Sequence, residues 1–180
     1  MSQKIFSGDV DKLRSQERRN RLQVERVVGD CLSGQDFKSM LDVGTGTGLF
    51  AESFANAGLR VKGIDLNPEF IKIASSHVPS AEFRVGKAEK LPFDSGSYDL
   101  VFLGHVLHES EDPARALEEA ARVAKKRVAV LEWPYLDQEI GPPLDHRIAT
   151  EDVLRYSQEI GFSIADVIFM RVMQLYILEK

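Results

Sequence analysis

The chain has 180 residues, of which 43% are hydrophobic and 28% are charged, and its net charge is −5. These values indicate one globular domain with a single hydrophobic core, and the negative charge argues against non-specific binding to nucleic acid. The one cysteine excludes an intrachain disulfide or a cysteine metal cluster, and no apolar run is long enough to span a membrane.

The N-terminal part of the sequence predicts a helical layer. Residues 1–12 have no apolar core of the kind found in a signal peptide, so we expect a cytoplasmic protein. Residues 9–33 are predicted to form a helix in two pieces, since apolar residues recur there at helical spacing. The first piece is rich in arginine, and its basic residues form either a solvated face or a lid that brings an arginine to a ligand carboxylate.

The next stretch, residues 40–51 (MLDVGTGTGLFA), reads as a short apolar strand, a glycine-rich turn and the start of a helix. Glycine loses the most backbone freedom on folding, so three glycines within five residues indicate a sharp turn that lies against a ligand. The first N–H groups of a helix are unpaired and face such a ligand. Asp42 lies at the carboxyl end of the strand, where open α/β sheets bind ligands.

An acid at the end of the second predicted strand, residues 60–65 (RVKGID), indicates a nucleotide-like ligand. Asp65 is placed there to accept hydrogen bonds from both hydroxyls of a ribose. The glycine pattern then distinguishes between cofactors. A dinucleotide fingerprint requires glycine or alanine at position 49, where this chain has leucine.

The remaining elements continue an alternation of strands and helices. We predict helices that begin near residues 49, 68, 113 and 150, and strands at 81–85, 97–103, 127–131, 162–169 and 172–179. Such alternation implies a parallel sheet with helices on both faces. Only a few residues separate the last two strands, which therefore pair as an antiparallel hairpin.

Four motifs in this order resemble those of the class I S-adenosylmethionine-dependent methyltransferases, of the small-molecule type that includes enzymes of ubiquinone and menaquinone synthesis. They are DVGTGTG at 42–48, GIDLNP at 63–68, AEKLPF at 88–93 followed by YDLV, and HVLHE at 105–109. The resemblance implies a Rossmann-like sheet of seven strands, mostly parallel, with the last strand antiparallel. It implies one domain over residues 1–180, with a helical lid at 1–33, a cofactor-binding core at 39–132, and a substrate-side loop, helix and hairpin at 133–180.

The resemblance implies S-adenosylmethionine as cofactor and S-adenosylhomocysteine as product. Asp65 would bind the ribose, Leu66 would pack on the adenine, and an arginine would meet the carboxylate. Asp42 would hold the glycine turn or meet the ammonium. The full predicted cofactor set is Arg18, Arg19, Asp42, Gly44, Thr45, Gly46, Gly48, Asp65, Leu66, Lys87, Ala88, Glu89, Leu103 and Gly104.

Position 87 departs from the family pattern, because the family often has an aspartate there that accepts a hydrogen bond from the adenine amino group. The lysine of this chain is a donor only and cannot replace that contact. Glu89 is the alternative acceptor. The affinity for S-adenosylmethionine is the property that the lysine at position 87 would affect.

Candidate catalytic and substrate-binding residues follow the fourth and fifth strands. His108 is the candidate general base, because imidazole titrates near neutrality, and the alternative is a buried, hydrogen-bonded histidine. Glu132 either orients the substrate or ends its strand, and Trp133 either stacks on a flat acceptor or packs at the sheet edge. The predicted substrate-binding set is His105, Glu132, Trp133 and His146. No metal is expected, because H-x-x-H-E lacks the i, i+4 histidine pair of helical zinc sites.

The function predicted from these residues is methyl transfer from S-adenosylmethionine to an oxygen, nitrogen or carbon atom of a small organic acceptor. A polynucleotide acceptor is disfavoured by the acidic charge and by the absence of an N-P-P-Y-type motif after the fourth strand. Neither a nucleic acid nor a membrane is expected as a partner. The alternatives are a non-catalytic binding protein or partner subunit on a degenerate fold, and a nicotinamide oxidoreductase, which Leu49 and the terminal hairpin oppose.

Overall fold

The computed structural model describes residues 10–180, apart from the side chains at positions 10, 11, 164 and 165. Its helices are α1 (Val10–Leu13), α2 (Gln16–Leu22), α3 (Val24–Leu32), α4 (Leu49–Asn56), α5 (Pro68–His77), α6 (Pro113–Val123) and α7 (Thr150–Ile160). Its strands are β1 (Ser39–Val43), β2 (Arg60–Asp65), β3 (Glu82–Val85), β4 (Tyr98–Gly104), β5 (Ala124–Glu132), β6 (Ser163–Phe169) and β7 (Gln174–Glu179). Within residues 10–180, no helix combines the length and apolarity that crossing a bilayer would need.

All seven strands lie in one sheet of order β3-β2-β1-β4-β5-β7-β6. Neighbours among β1 to β5 are parallel, and β7 is antiparallel to both β5 and β6. The predicted class I methyltransferase fold is thereby confirmed. The order reverses between β1 and β4, so the carboxyl ends of these two strands open a crevice in which α/β sheets bind ligands.

The sheet is covered on both faces by apolar helix surfaces. One core joins α3 and α4 to the sheet, and Phe102 of β4 contacts Phe50 and Phe54 there at ring-centroid distances of 4.8 and 5.4 Å. The other core joins α6 and α7 to the opposite face, around Leu117 and Val153. Both faces are therefore buried, which explains why β4 and β5 read as nearly continuous apolar runs.

The largest differences from the sequence prediction lie in the N-terminal layer and at the start of β5. The N-terminal layer has three helices within residues 10–32 instead of two pieces. Ser15 is extended and caps the start of α2 after α1 ends at Leu13, and Gln23 adopts a left-handed conformation (φ 50°) between α2 and α3. Position 9 of the predicted range lies outside the described residues. Strand β5 begins at Ala124, three residues earlier than predicted, because Ala124 pairs with Tyr98 and a bulge absorbs the offset before Leu100 pairs with Arg127.

A buried arginine ties the N-terminal helical layer to the sheet. Arg127 of β5 is only 5% exposed, and its guanidinium donates to the backbone carbonyls of Cys31 and Ser33 and pairs with Glu179 of β7. One side chain therefore satisfies acceptors at the end of α3 and in a different strand. Its loss would leave these buried acceptors without a donor, which is more costly than the net value of the bonds themselves.

We expect Arg127→Met to lower the free energy of unfolding by about 2–4 kcal/mol. Lys62→Met is the matched control, because Lys62 forms a partly exposed pair with Glu82 and should change stability much less than Arg127→Met does. Urea unfolding followed by circular dichroism measures both values. Equal effects of the two substitutions would contradict the anchoring role of Arg127.

Candidate active site

A cavity of about 480 Å³ lies at the carboxyl ends of β1, β2 and β4. Its walls come from the glycine turn after β1, the end of β2, the loop after β3, the segment after β4, and helix α2 with Leu13 before it. A second cavity of about 810 Å³ adjoins it, between the segment after β4 and the loop that leads to α7. The two cavities share His108, Glu109, Ser110 and Pro142.

The three glycines of the turn have separate structural reasons, although all are left-handed. A Cβ on Gly44 would lie 2.4 Å from Val106, and one on Gly48 would lie 3.2 Å from the Cβ of Ala74 in α5. A Cβ on Gly46 would meet no atom within 4 Å, and Gly46 lines the cavity. Gly44 and Gly48 therefore allow close packing within the protein, and Gly46 leaves open a place where a ligand can approach the backbone.

Asp42 holds the glycine turn from behind. Its carboxylate accepts a hydrogen bond from the Thr45 hydroxyl at 2.7 Å, and it is 2% exposed and outside the cavity lining. Of its two predicted roles, this position favours holding the turn over meeting the ammonium. Burial raises the pKa of Asp42 to about 7, and the nearby charge of Asp65 adds to the shift.

Asp65 lines the cavity and also joins two loops. Its carboxylate accepts from the backbone N–H of Gly46 at 2.8 Å and from that of Asn67 at 2.8 Å. Burial raises its pKa above the ordinary value, and the backbone donors oppose that shift. Each carboxylate oxygen has further lone-pair capacity, so these bonds leave room to accept ribose hydroxyls. Leu66 lines the cavity beside it.

Lys87 does not line the cavity, although it belongs to the predicted cofactor set. Its ammonium faces Glu111 at 3.8 Å, and the side chain is 49% exposed. Ala88 and Glu89 do line the cavity, and Glu89 accepts from the backbone N–H of Glu111 at 3.1 Å. Leu103 is likewise outside the lining because its side chain is buried in the core, whereas Gly104 lies on the cavity wall.

Arg18 and Arg19, predicted as alternatives, have different surroundings. Arg18 lines the cavity. Arg19 lies outside the lining, since its guanidinium pairs with Glu52 at 3.1 Å and Glu25 at 3.0 Å. Arg14 also binds Glu52 and donates to the carbonyl of Thr47 at 2.5 Å. Arg14 and Arg19 therefore fasten the N-terminal helices to α4, and Arg18 remains available to a ligand.

His105 reaches the cavity in a left-handed conformation (φ 61°), which its backbone bond to the carbonyl of Leu131 at 2.8 Å supports. Both ring nitrogens are inaccessible to solvent and have no hydrogen-bond partner among residues 10–180. Burial lowers the pKa of His105 to about 3, so the ring is neutral and offers one donor and one acceptor. Trp133 packs beside it, with ring centroids 5.5 Å apart.

His108 and Glu132 form a buried pair between the two cavities. Nδ1 of His108 lies 2.7 Å from the Glu132 carboxylate, which also accepts from the backbone N–H groups of Leu107 and His108 at 2.9 and 3.3 Å. Burial lowers the pKa of His108, but the Glu132 carboxylate outweighs burial, and the net pKa lies above the ordinary value. Burial raises the pKa of Glu132 and His108 lowers it, with a net lowering. The arrangement orients the imidazole through Nδ1, and Nε2 makes no hydrogen bond to a residue of the described range.

The loop from Trp133 to Arg147 is held by an arginine that sequence reasoning did not single out. Arg147 is 7% exposed and donates to backbone carbonyls of this loop, which are those of Pro134, Leu136, Ile140 and Pro142. Gly141 lies over the ring of Trp133, where a Cβ would come within 2.7 Å. Trp133 lines the first cavity, whereas His146 is exposed and lines only the second.

Glu109 and Ser110 also line both cavities and were not predicted as site residues. Glu109 lies 3.8 Å from Nε2 of His108, and burial raises its pKa. The position of Glu109 directly after His108 in the HVLHE motif was a sequence signal for its place in the site. Within the described part of the chain, no group of three or more histidine, cysteine, aspartate or glutamate side chains is arranged to hold a metal ion.

Comparison with known proteins gives a match over the central half of the chain. The family model described as "Methyltransferase domain" matches residues 41–131. The demethylmenaquinone methyltransferase of Chlorobaculum tepidum is 43% identical over 95 residues, which are 52% of this chain and 39% of that protein. The chain thus spans about two fifths of the length of the curated relatives that it matches.

Solved structures match over nearly the whole chain. A SAM-dependent methyltransferase from Aquifex aeolicus has a TM-score of 0.83 at 23% identity and covers 96% of this chain and 99% of its own. The magnesium protoporphyrin IX methyltransferase of Synechocystis PCC 6803, solved with bound SAM, has a TM-score of 0.74 at 19% identity. The match covers 97% of this chain and 86% of that protein's chain. At these identities the matches establish a shared fold.

The buried Asp42 should make stability fall with rising pH. The folded-state pKa of Asp42 is about 7 and exceeds the ordinary value of 3.8. Its contribution to the free energy of unfolding is therefore fully present below about pH 4 and is lost as the pH rises through 7. Asp42→Asn removes this dependence while keeping an acceptor for Thr45. Urea unfolding at pH 5 and pH 8 measures the free energy of unfolding of both proteins. We expect the value for Asp42→Asn minus that for the intact protein to be higher at pH 8 than at pH 5 by about 1 kcal/mol or more.

Asp145→Asn is the control, because Asp145 is exposed and has no ion pair or hydrogen bond from its carboxylate to another residue of the described range. Its stability difference from the intact protein should be the same at both pH values. An unchanged difference for Asp42→Asn as well would contradict the raised pKa of Asp42.

Proposed function

This chain belongs to the methyltransferase-domain family, and we propose that it transfers a methyl group from S-adenosylmethionine to a small organic acceptor that loses a proton in the reaction. The observation that carries this proposal is the position of His108. Its ring borders both cavities, and Glu132 fixes its orientation from behind. A base in that position lies between a space for the cofactor and a space for the acceptor.

The residues of the first cavity fit the proposed cofactor. The open backbone at Gly46 admits a ligand against the turn, and the Asp65 carboxylate can accept from ribose hydroxyls. Leu66 and Phe70 offer an apolar surface for adenine, and Arg18 offers a cation for the carboxylate. When bound, the cofactor supplies an electrophilic methyl group on a sulfonium. Positioning of an acceptor beside it can account for roughly 7–11 kcal/mol of the barrier.

His108 is proposed to take the proton of the acceptor through Nε2. The Glu132 carboxylate accepts only, so the hydrogen between them belongs to Nδ1 of His108, and in the neutral ring Nε2 carries the lone pair. Glu132 cannot turn away, since backbone N–H groups hold it and it is 1% exposed. The carboxylate stabilises the imidazolium that forms when the proton is transferred.

The second cavity is proposed to hold the acceptor. Tyr135, Tyr156, Ile148 and Pro113 provide aromatic and apolar walls that suit a ring compound. The relative from Chlorobaculum tepidum is named for demethylmenaquinone, and a structural neighbour for magnesium protoporphyrin IX. These names support a ring-bearing small molecule as the acceptor class. An acceptor with an ionisable hydroxyl or an acidic C–H bond would use the base.

Lys87 gives no support to a non-catalytic binding protein. One ground for that alternative was a lysine in the place of an adenine-binding acid, and the small size of the chain was the other, but the Lys87 side chain lies outside the cavity. Glu89 lines the cavity and carries an acceptor there. The buried His108–Glu132 pair also has no evident use in a protein that only binds the cofactor.

The direct experiment is incubation of the purified chain with methyl-labelled S-adenosylmethionine and a panel of phenols, enols, amines and thiols. We expect labelled product and S-adenosylhomocysteine in equal amounts with at least one proton-losing acceptor. Compounds with catechol-like and hydroxyquinone-like rings are the first acceptors to be tested. Binding of the cofactor without turnover of any acceptor would contradict the catalytic proposal and favour the non-catalytic alternative.

We expect His108→Gln to lower kcat by about 10²–10⁴-fold, because the base is lost, while cofactor affinity changes little. His77→Gln is the matched control, since His77 is exposed at the end of α5 and away from both cavities. Steady-state kinetics with an acceptor from the panel, with a binding titration beside it, separates the two effects. An unchanged kcat would show that His108 is not the base.

We expect Glu132→Gln to move the acidic limb of the kcat–pH profile to lower pH. Catalysis requires neutral His108, so kcat rises with pH through the pKa of His108. Glu132 holds that pKa above its ordinary value, and an uncharged glutamine would let it fall. If the acidic limb of the kcat–pH profile lies at the same pH in both proteins, a group other than His108 controls it.

A further inference from the structure

The imidazole of His105 has hydrogen-bonding groups that the chain itself does not satisfy. Both ring nitrogens are buried, and neither has a hydrogen-bond partner among residues 10–180. Native structures keep few buried polar groups in this condition, because each loses its bond to water without a replacement. The ring lines the first cavity, so a molecule in that cavity can supply the missing partner.

The backbone at His105 is also held in an unusual conformation. Within the described part of the chain, Gln23 and His105 are the non-glycine residues with positive φ, and Gln23 lies in the turn between α2 and α3. Glycine would adopt the φ of 61° at position 105 without strain, whereas a side chain there has a steric cost. An imidazole kept at a strained position on a cavity wall indicates a use for its polar atoms.

The ring of His105 is packed close to the junction of the two cavities. Its centroid lies 5.5 Å from that of Trp133 and 6.4 Å from that of His108, whose ring borders both cavities. Trp133 is confined in turn, because Gly141 and the guanidinium of Arg147 lie against its ring. An acceptor that extends from the second cavity past His108 into the first therefore meets His105 next.

The cofactor leaves His105 to the acceptor. We assign Asp65 to the ribose and Arg18 to the carboxylate, and both lie on other parts of the wall of the first cavity. Burial lowers the pKa of His105 to about 3 against the opposing charge of Glu132, and Arg18 adds to the lowering. The ring is therefore neutral near pH 7 and offers one N–H donor, but it does not compete with His108 for a proton.

We propose that His105 is a specificity residue whose N–H donates to a second oxygen of the acceptor, beside the atom that His108 deprotonates. The inference rests on the proposed function, which supplies the acceptor and the base. The ring of His105 turns one nitrogen into the cavity as the acceptor enters.

The hydrogen bond is assigned to the second oxygen and not to the reacting atom. The reacting atom loses negative charge as it attacks, so a donor on it would bind more tightly in the ground state than in the transition state and would slow the transfer. A donor on the neighbouring oxygen avoids this loss. An acceptor without that oxygen leaves the N–H of His105 buried and unpaired, and such analogues are rejected strongly. The site therefore selects ring compounds with oxygens on two adjacent atoms.

Guaiacol and 2-ethylphenol test this selection. Each has one reactive hydroxyl and nearly the same shape, and they differ in an ether oxygen that takes the place of a methylene group. The measured quantity is kcat/KM for each compound with methyl-labelled S-adenosylmethionine. We expect the intact chain to prefer guaiacol by at least about tenfold.

Two substitutions remove the donor in different ways. His105→Phe keeps a flat ring without an N–H, and His105→Gly fits the left-handed backbone without strain. Each should reduce the preference for guaiacol to within about threefold, because the lost hydrogen bond acts on guaiacol alone. Retained binding of S-adenosylhomocysteine shows that a variant is folded, and the glycine variant decides the outcome if the phenylalanine variant does not fold.

His77→Phe is the control, because His77 is exposed at the end of α5 and should leave the preference unchanged. Equal kcat/KM values for the two compounds in the intact chain would overturn the role of His105. A preference that survives in the folded variants, or methylation of other members of the panel but not of guaiacol, would overturn it as well. The proposed function stands in each of these cases. Failure of the intact chain to methylate any acceptor would overturn the proposed function itself.

Discussion

The hydrogen bond from the backbone N–H of Gly46 to the carboxylate of Asp65 sets the shape of the site. It joins the turn after β1 to the end of β2 at 2.8 Å, so the crevice at the switch point of the sheet is open before a ligand enters. The turn is fixed on its other sides as well. Gly44 packs on Val106, and Gly48 packs on α5. A site formed in advance needs little reorganisation when it binds a ligand.

The opposite end of the site depends on one buried carboxylate. Glu132 ends β5, which lies between β4 and β7, and its oxygens accept from the backbone of the segment after β4 and from His108. The same residue therefore shapes the turn that carries His105 and His108 and orients the proposed base. Trp133 follows directly and leads into the loop that Arg147 holds. The two cavities meet at this point, which is why we place methyl transfer there.

The sequence predicted those features whose signals are local. The glycine turn, the acid that ends β2 and the Asn67-Pro68 and Asp112-Pro113 helix starts depend on neighbours within a few residues, and the structure has each of these elements where it was expected. The class I fold followed from the order of such elements and from the resemblance of four motifs.

Features that depend on distant partners were not predictable in this way. Arg18 and Arg19 are adjacent and chemically identical, and only the position of Glu52 on α4 distinguishes the one that reaches the cavity. Lys87 was assigned to the site by its place in a motif, but its side chain faces Glu111. Arg147 acquires its role from carbonyls up to 13 residues away along a proline-rich loop.

We infer that the cavity between Gly46 and Asp65 binds S-adenosylmethionine. A calorimetric titration of the intact chain with this cofactor, beside NAD and an Asp65→Ala variant whose folding is checked by urea unfolding, tests it most directly. We expect binding in the micromolar range to the intact chain, loss of at least about tenfold in the variant, and no heat with NAD. Absence of binding to the intact chain, or equal binding to the folded variant, would show that this cavity is not a site for S-adenosylmethionine.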